Sequence, residues 1–538
     1  MRILLTKLIN VRRSSGFLLI KYALLFVVFL AVVIFFDSKL SNNEQPESPV
    51  DAGTRPNPTA SESAPDSPVP DSPAPDSPES DTDTSQNTDT SQQPADDEQV
   101  EPPSSEEAPD RTSKVNGVYI NFNSLIRRDA GNRDLVRLHE YFKSLKPSGQ
   151  NEKTGIYEGY NLITISAEAF TPYFIDPELT PTLYMMQQNG IYLNNFYGMA
   201  GGGTIGGEVS LITGFFPEGG HGWSHNAARK HLPFTFASQF RAMGIQPLAY
   251  HNGTYTFYDR HILHPNLGYI FRTRRHGLDF KGPGWHMSDK ILIELSIDQY
   301  IDMDRFYVHY MTVSGHSPYS WENGVARMNR EAVNHLSYSP QVKAYVATQM
   351  ELEYALEYLL ERLEEKGIAE QTLIVMTTDH YPYGLSMRDN AELAGQPFDS
   401  AFGLFKNACF IYVKGMDPMT IEAPAFVPDI VPTVSNLLGL NFDSRFMSGR
   451  DVFSDAMPLI YLNCGFMTDV GYYEKRLGKF TPFEEVEVPE GYVAEMLDIV
   501  SDRRAAIEQA IRLDYFSKIA DYLKPPGKVP KWGWFPPE

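Results

Sequence analysis

The chain has 538 residues, two cysteines and a formal net charge of −22 at pH 7. It is longer than one ordinary domain, and two cysteines over this length exclude a disulfide scaffold. Residues 41–110 hold 18 acidic residues against one arginine, a net of −17, so the charge says little about the partners of any folded part. We expect no nucleic-acid partner.

The first 37 residues join a basic start to a long apolar run. Four basic residues come first: Arg2, Lys7, Arg12 and Arg13. The run at 17–37 is long enough to cross a bilayer as a helix if Lys21 extends towards the membrane surface. A cleaved signal peptide is the alternative, but the run ends without small residues at a cleavage site. We therefore predict a single-pass anchor at 17–37, with residues 1–16 in the cytoplasm and the rest of the chain outside the cell.

Residues 38–115 form a low-complexity segment. They repeat Pro-Asp-Ser-Pro and Thr-Asp-Thr-Ser-Gln and contain few large apolar residues. Such a segment cannot bury a core, so it is predicted to be disordered. Charge repulsion and proline stiffness would extend it into a tether that spans on the order of 50 Å or more.

The part from about residue 116 onwards is predicted to fold. Short apolar, β-rich runs recur at wide spacing, at residues 161–165, 246–250, 305–313, 372–377 and 409–413. The clearest helical pattern lies at 341–366 and ends before Gly367. Alternating strands and helices predict an α/β sandwich around a mostly parallel sheet, with the ligand site at the carboxyl ends of the strands. Cys409 is expected to be a buried free thiol rather than a disulfide partner of Cys464.

Three of the β-rich runs end in polar side chains that can bind a metal. Glu168 follows the first run, His316 follows the third, and Asp379 and His380 follow the fourth. A single Glu or His at a strand end is more often a helix cap or a surface group. Asp379 and His380 are the stronger pair, because two ligand types on one tight turn can reach the same cation.

A glycine-rich stretch at residues 200–207 contains one hydroxyl, that of Thr204. Glycines let a backbone approach a ligand closely, and the residues that follow can open a helix whose N-terminus attracts phosphate. On the glycines alone, a flexible turn is the better explanation. The single hydroxyl favours the interpretation that Thr204 is a nucleophile, because a cation beside a threonine makes its oxygen reactive towards phosphorus.

Ordered motifs extend from about Leu138 to Phe453. They comprise residues 159–170, 179–183, 195–197, 203–204 with Glu208, 251–260, 267–269, 316–319, 379–381 and 429–439. Together they resemble the lipoteichoic acid synthase, or phosphoglycerol transferase, family of the alkaline-phosphatase and sulfatase superfamily. The resemblance implies an alkaline-phosphatase-like sandwich with a sulfatase-like catalytic domain at 116–475, and we predict a C-terminal helical extension at 476–538.

The resemblance also implies a set of site residues. One divalent cation, Mn²⁺ or else Mg²⁺, would be bound by Glu168, Thr204, Asp379 and His380. The phosphoglycerol pocket would be lined by His251, Tyr258, Arg260 and His316. The chemistry agrees, since Arg260 offers a planar donor fork to phosphate oxygens and His316 can protonate a leaving alkoxide or activate an attacking one.

The sequence departs from the family pattern at several positions. Tyr258 stands where the family commonly has Trp, and Gly253 stands where an acidic residue often helps to bind glycerol. Ile205 and Gly206 replace the usual Ser-Asp after the nucleophile, and one predicted helix replaces a multi-helix membrane domain. These departures concern the identity of the substrate more than the metal chemistry.

The implied activity is transfer of glycerol phosphate, or a similar headgroup, from a phospholipid such as phosphatidylglycerol to an envelope polymer or glycolipid, through phospho-Thr204. The alternative is a phosphodiesterase or lipid-headgroup hydrolase, because water can use the same nucleophile and base. A catalytically inactive envelope-binding module would have no need of the four metal-site residues. A sulfatase is disfavoured, since neither Cys409 nor Cys464 starts a Cys-x-Pro-x-Arg motif.

Overall fold

The computed structural model describes residues 114–199, 203–280, 288–398 and 400–523. The predicted cytoplasmic segment and membrane anchor, and the predicted linker up to residue 113, lie outside these ranges. Among the described residues, no helix combines the length and the apolar character that crossing a membrane requires.

The strands are, in chain order, β1 Asn161–Ala167, β2 Ile191–Tyr197, β3 Leu248–His251, β4 Ile270–Arg274, β5 Gly277–Leu278, β6 Tyr307–Met311, β7 Thr372–Thr378, β8 Lys406–Tyr412, β9 Met419–Ile421, β10 Ala425–Phe426, β11 Ile460–Leu462, β12 Gly465–Met467, β13 Gly471–Glu474 and β14 Lys479–Pro482. The helices are α1 Phe122–Arg128, α2 Arg133–Ser144, α3 Pro181–Asn189, α4 Gly203–Thr213, α5 His221–Ala227, α6 Phe236–Ala242, α7 Arg260–Leu267, α8 Asp289–Ser296, α9 Gly324–Met328, α10 Arg330–Val333, α11 Pro340–Glu365, α12 Met387–Ala394, α13 Ile430–Leu437, α14 Tyr492–Arg512 and α15 Tyr515–Lys518.

Ten strands form one sheet in the order β10-β2-β8-β7-β1-β6-β3-β4-β5, and β9 also pairs with β2. The central pairs β7-β1, β1-β6 and β6-β3 are parallel. This arrangement confirms the predicted α/β fold with a mostly parallel sheet. Strand β8, predicted at 409–413 as one of its strands, runs antiparallel to both β7 and β2. A strand buried on both faces has the same continuous apolar run in either direction, so the sequence does not indicate its polarity.

The two faces of the sheet pack against different helices. In β7, Leu373 and Val375 belong to one buried cluster, which includes side chains of α4, α6, α7, α13 and α14. Ile374 and Met376, which point the other way, belong to a second cluster with α3, α8 and α11. This alternation follows from the two-residue period of a strand. The described part of the chain that contains this sheet is therefore a three-layer sandwich, in which helices cover both faces of the sheet.

Helix α11 lies where the apolar periodicity of the sequence predicts a helix. It was predicted at 341–366 and spans Pro340–Glu365, with Pro340 in its first turn. Its apolar stripe is buried at Val342, Tyr345, Leu352, Leu356, Leu359 and Leu363. Burying each leucine contributes about 1.5–3 kcal/mol, so packing of this stripe holds the helix on the sheet.

A smaller antiparallel sheet contains β11 to β14 in sequential order. The predicted boundary between residues 475 and 476 falls inside the hairpin that joins β13 and β14. The helix predicted in the extension is α14, which contacts α2 and α5 of the main sandwich. Arg504 of α14 also forms an ion pair with Glu218, near the start of α5. The described part of the extension therefore packs on the sandwich.

Candidate active site

The carboxyl ends of three neighbouring strands meet at one edge of the sheet. The register pairs Ser166 of β1 with Met311 of β6 and Ala167 of β1 with Thr378 of β7, so these strands end level with one another. The residues that follow β1 and β7 are Glu168, Asp379 and His380. One ligand atom from each of these three buried side chains lies within 4.8 Å of the others.

The geometry of these three side chains is that of a metal centre. The Nε2 atom of His380 lies 3.3 Å from a carboxylate oxygen of Glu168 and 3.3 Å from Oδ2 of Asp379. The Nδ1 atom of His380 lies 2.8 Å from the Tyr381 carbonyl, so Nδ1–H donates there and Nε2 faces the carboxylates. The amides of Ala169 and His380 donate to Oδ1 of Asp379. Its Oδ2 atom is buried and accepts no hydrogen bond from the described residues.

An additional positive charge would stabilise this buried cluster of two carboxylates and one imidazole. Burial lowers the pKa of His380, but the carboxylates of Asp379 and Glu168 outweigh burial and raise it to about 9. Burial and the neighbouring charge of Glu168 raise the pKa of Asp379 well above its usual range. Two carboxylates and an imidazole fit a divalent cation that accepts oxygen and nitrogen ligands. The residues present therefore fit the divalent metal that the superfamily generally uses.

Thr204 lies at the start of α4, directly beside the cluster. Its Oγ1 atom is 3.1 Å from Nε2 of His380. Helix α4 is buried on all sides from Thr204 onwards, which fixes the hydroxyl against the sheet edge. A Cβ atom on Gly207 would lie 1.9 Å from the Asp379 carbonyl oxygen, so any side chain there would force α4 away from the metal-binding turn. The glycines thus allow close contact between the helix and the turn.

Glu208, one helical turn after Thr204, connects α4 to Arg260 and His264 of α7. Its carboxylate accepts hydrogen bonds from Arg260 at 2.8 Å and pairs with His264 at 2.9 Å. Glu208, Arg260 and His264 are almost fully buried. Burial would raise the pKa of Glu208, but the charge of Arg260 and the contact with His264 hold it well below its usual range. The buried Arg260 is therefore oriented by a carboxylate, a partner that sequence reasoning missed although Glu208 stood within a recognised motif.

His251 and Tyr258 both lie near Arg260. Burial and the charge of Arg260 lower the pKa of His251 to about 3, so its imidazole is neutral. The Nδ1 atom of His251 lies 3.0 Å from the Met311 carbonyl, which leaves Nε2 as the accepting nitrogen. The Tyr258 ring lies 5.3 Å from the Arg260 guanidinium. A Cβ atom on Gly253 would lie 2.3 Å from Nε2 of His251, so this position has no room for an acidic side chain.

His316 follows β6 and is half-buried. Its Nδ1 atom lies 2.6 Å from the Ser317 carbonyl, so Nδ1–H donates and Nε2 is the nitrogen suited to proton transfer. Its imidazole lies near enough to Glu168 to interact electrostatically with that carboxylate. The eight residues predicted for the site therefore all lie around one end of the sheet.

Two further residues support the site and were not anticipated from the sequence. The ring of Tyr383 packs against the His380 ring at an angle of 37°, with ring centroids 4.3 Å apart. Asp289, the first residue of α8, accepts hydrogen bonds from the Asn252 side chain and the Val313 and Ser314 amides. It thereby joins the loop after His251 to the loop that carries His316. A Ser-Asp pair at a helix start is usually only a cap, so nothing in the local sequence identifies Asp289 as a residue that supports the site.

Asp289 should make stability depend on pH. Burial raises its pKa from 3.8 to about 7, although the amides of Val313 and Ser314 oppose this. The folded protein therefore holds a proton that the unfolded chain releases, and this contribution is complete below about pH 4 and lost as pH rises through about 7. The variant Asp289→Asn cannot ionise, so its melting temperature relative to the unsubstituted chain should rise between about pH 5 and pH 8.

Thermal unfolding of both proteins across this range checks the prediction. Asp304, an exposed residue, gives the control variant Asp304→Asn, which removes a surface carboxyl group and leaves the contacts of Asp289 intact. A constant difference for Asp289→Asn would contradict a raised pKa.

Comparison with known proteins agrees with this fold. The family model for sulfatases matches residues 164–440. The chain is 23% identical over 402 residues to lipoteichoic acid synthase 2 of Bacillus subtilis (strain 168), which covers 70% of this chain and 61% of that protein. It is 24% identical over 346 residues to the lipoteichoic acid synthase of Staphylococcus aureus (strain USA300). This match covers 60% of this chain and 52% of that protein. The chain thus spans less than two thirds of the length of these relatives.

Solved structures show the same fold. The lipoteichoic acid synthase LtaP from Listeria monocytogenes superposes with a TM-score of 0.55 at 19% identity, over 72% of this chain and 98% of that one. A protein in the alkaline phosphatase superfamily from Vibrio parahaemolyticus superposes with a TM-score of 0.51 at 17% identity, over 73% of this chain and 97% of that one. The predicted alkaline-phosphatase-like architecture is therefore confirmed.

Proposed function

Because the chain belongs to the sulfatase family, we propose that it is a metal-dependent phosphotransferase of the lipoteichoic acid synthase type, with Thr204 as its nucleophile. The observation that carries the proposal is the position of the Thr204 hydroxyl, 3.1 Å from a nitrogen of the buried Glu168, Asp379 and His380 cluster. A hydroxyl beside a cation is suited to attack on phosphorus. Neither cysteine lies at the nucleophile position, which favours a phosphate substrate over a sulfate ester.

The cation site would be formed by Glu168, Thr204, Asp379 and His380, and Mn²⁺ fits its mixed oxygen and nitrogen ligands, with Mg²⁺ as the second candidate. When bound, the ion lowers the pKa of the Thr204 hydroxyl and offsets charge on the phosphate oxygens. The amides that donate to Asp379 hold its carboxylate in place for this role.

The substrate would be a phospholipid with a glycerol phosphate headgroup, such as phosphatidylglycerol. The Thr204 oxygen attacks the phosphorus, the bond to the diacylglycerol oxygen breaks, and glycerol phosphate remains on Thr204. The hydroxyl oxygen of an envelope polymer or glycolipid then attacks the same phosphorus, and the Thr204 oxygen leaves. Nε2 of His316 would protonate the first leaving oxygen and later take the proton of the acceptor hydroxyl. The Thr204 hydroxyl would release its proton to solvent on attack and regain one when its oxygen leaves.

The remaining residues of the pocket would bind the headgroup. Arg260 is charged and oriented by Glu208, which suits it to bind phosphate oxygens. The neutral His251 can accept a hydrogen bond from a glycerol hydroxyl through Nε2. Tyr258 would cover Arg260 and exclude water from one side of the phosphate.

The proposal includes a division of the chain into an anchor, a linker, a catalytic domain and a C-terminal extension. We place a membrane anchor at 17–37, an extended linker at 38–115, a catalytic domain at 116–475 and a C-terminal extension at 476–538. The catalytic domain would act outside the cell membrane, where lipid headgroups and envelope polymers meet. A hydrolase that uses water as acceptor remains the second candidate, since the same nucleophile and base serve both reactions.

Mass spectrometry of a covalent adduct tests the proposal. The full chain in detergent is incubated with Mn²⁺ and phosphatidylglycerol whose headgroup is isotopically labelled. A labelled glycerol phosphate group on the peptide that contains Thr204 is expected, and diacylglycerol should be released in equal amount. Release of labelled glycerol phosphate without added acceptor would favour the hydrolase, whereas label on another residue would refute Thr204 as nucleophile.

Removal of the metal should abolish turnover and lower stability. Without the cation, the buried carboxylates of Glu168 and Asp379 lose their counter-charge. An ion present at 100 times its dissociation constant stabilises the folded state by about 2.7 kcal/mol, so Mn²⁺ added to chelated protein should raise its melting temperature. The variant Asp379→Asn should lose this response. Full activity in the presence of chelator would contradict metal dependence.

A further inference from the structure

A cavity with basic side chains lies at the carboxyl ends of β3 and β4. It is lined by residues 252–256 and 274–276 and has a volume of about 310 Å³, within the usual range for small-ligand sites. Arg274, Arg275 and His276 contribute its basic groups, and the other segment contributes hydroxyl groups. The described residues that line it include no Asp or Glu. This basic cavity therefore favours an anionic ligand with oxygen acceptors.

The basic cavity adjoins the proposed headgroup pocket. Strand β3 ends at His251, β4 ends at Arg274, and the register pairs His251 with Thr273. Neighbouring strands lie about 4.8 Å apart, so the turn that follows β4 is next to His251. Gly253, which lines the cavity, lies against the imidazole of His251, because a Cβ atom on this glycine would be 2.3 Å from Nε2. A ligand in the cavity would therefore be a neighbour of a headgroup bound by His251.

Packing and backbone hydrogen bonds hold the basic cavity in shape. The ring of His276 stacks on that of Tyr255 with centroids 4.1 Å apart, and Tyr255 stacks in turn on the buried Phe271. Two backbone hydrogen bonds of 2.9 Å between Thr273 and His276 close the turn after β4. This turn holds Arg275 in the left-handed conformation, with φ of 65°. Residues other than glycine adopt it uncommonly, and such strain is often found at ligand sites.

We propose that the basic cavity is a second phosphate subsite, which binds a phosphodiester of an acceptor that already carries glycerol phosphate. This inference rests on the proposed transferase function. The phosphatidylglycerol donor contains one phosphorus atom, which lies at Thr204 during transfer, so a second phosphate beside His251 belongs to the acceptor. The guanidinium groups of Arg274 and Arg275 suit its oxygens, because each offers several hydrogen-bond donors in a planar fork. The subsite therefore favours a growing, charged polymer over a neutral glycolipid as acceptor.

Binding of a soluble phosphodiester tests the subsite without turnover. The full chain in detergent, with Thr204→Ala so that no probe is consumed, is titrated with glycerophosphoglycerol in a calorimeter. Adding Arg275→Ala should weaken one binding event about tenfold, the effect of losing a charge-assisted hydrogen bond, whereas Arg275→Lys should retain most of the affinity. The matched control is Arg476→Ala, which removes an exposed arginine from the turn between β13 and β14. Identical titrations of Arg275→Ala and Arg476→Ala would overturn the proposal.

A comparison of two acceptors tests the role of the subsite in transfer. Release of diacylglycerol from phosphatidylglycerol is measured with a glycerol phosphate oligomer and with a neutral glycolipid as acceptor. Arg275→Ala should lower the ratio of the two kcat/KM values about tenfold, through a higher KM for the oligomer. An equal loss with both acceptors would assign the cavity to the lipid donor and overturn the proposal. Failure of the proposed function would appear separately, as no diacylglycerol release by the unsubstituted chain, whereas the calorimetric result does not depend on release.

Discussion

Thr204→Ala is expected to lower the rate of diacylglycerol release from phosphatidylglycerol by about 10⁴-fold or more, because removal of a nucleophile leaves only binding and charge stabilisation. The Thr204 hydroxyl lies 3.1 Å from Nε2 of His380, beside the proposed metal ligands. The covalent glycerol phosphate adduct should disappear with it. The measurement is release of diacylglycerol over time, together with mass spectrometry of the intact chain.

The matched control for this prediction is Thr204→Ser, which keeps the hydroxyl and should retain the adduct. Both variants should unfold near the temperature of the unsubstituted chain, because the side chain contributes little buried apolar surface. Turnover by Thr204→Ala within tenfold of the unsubstituted chain would show that another group attacks phosphorus.

Glu208→Ala is expected to destabilise the folded protein by about 3–5 kcal/mol, because it leaves the Arg260 guanidinium buried and unpaired. The contact is 2.7 Å long, and both side chains are at most 1% exposed. The same substitution should weaken binding of an anionic headgroup, since Arg260 loses the partner that orients it. Urea unfolding of the two proteins measures the stability difference.

An exposed ion pair of the same length provides the control. Arg362 and Asp298 are also 2.7 Å apart, but their side chains are 24% and 74% exposed. Asp298→Ala should therefore cost no more than about 1 kcal/mol. The double variant Glu208→Ala/Arg260→Met, which removes both charges, should recover part of the stability that Glu208→Ala loses. Equal costs for Glu208→Ala and Asp298→Ala would contradict a buried, coupled pair.

Much of the architecture was predictable because it depends on local patterns. Strand β7 was predicted at 372–377 and spans Thr372–Thr378, since a short, continuous apolar run is typical of a strand buried on both faces. Helix α11 was predicted to within one residue at each end, because its apolar stripe repeats with the period of a helix. The polarity of β8 was not predictable, because its pattern is the same in both directions.

The sequence by itself determined which side chains are available to the site, because Glu168, Asp379 and His380 each follow a recognisable strand and Thr204 is the one hydroxyl among the glycines. Only the tertiary structure decided which of these side chains meet. The register of β1, β6 and β7 brings residues about 210 positions apart into contact, as in the hydrogen bond from Ala169 to Asp379. The partners of Arg260 and the position of Asp289 were likewise decided by the fold, since no local pattern records a contact between distant segments.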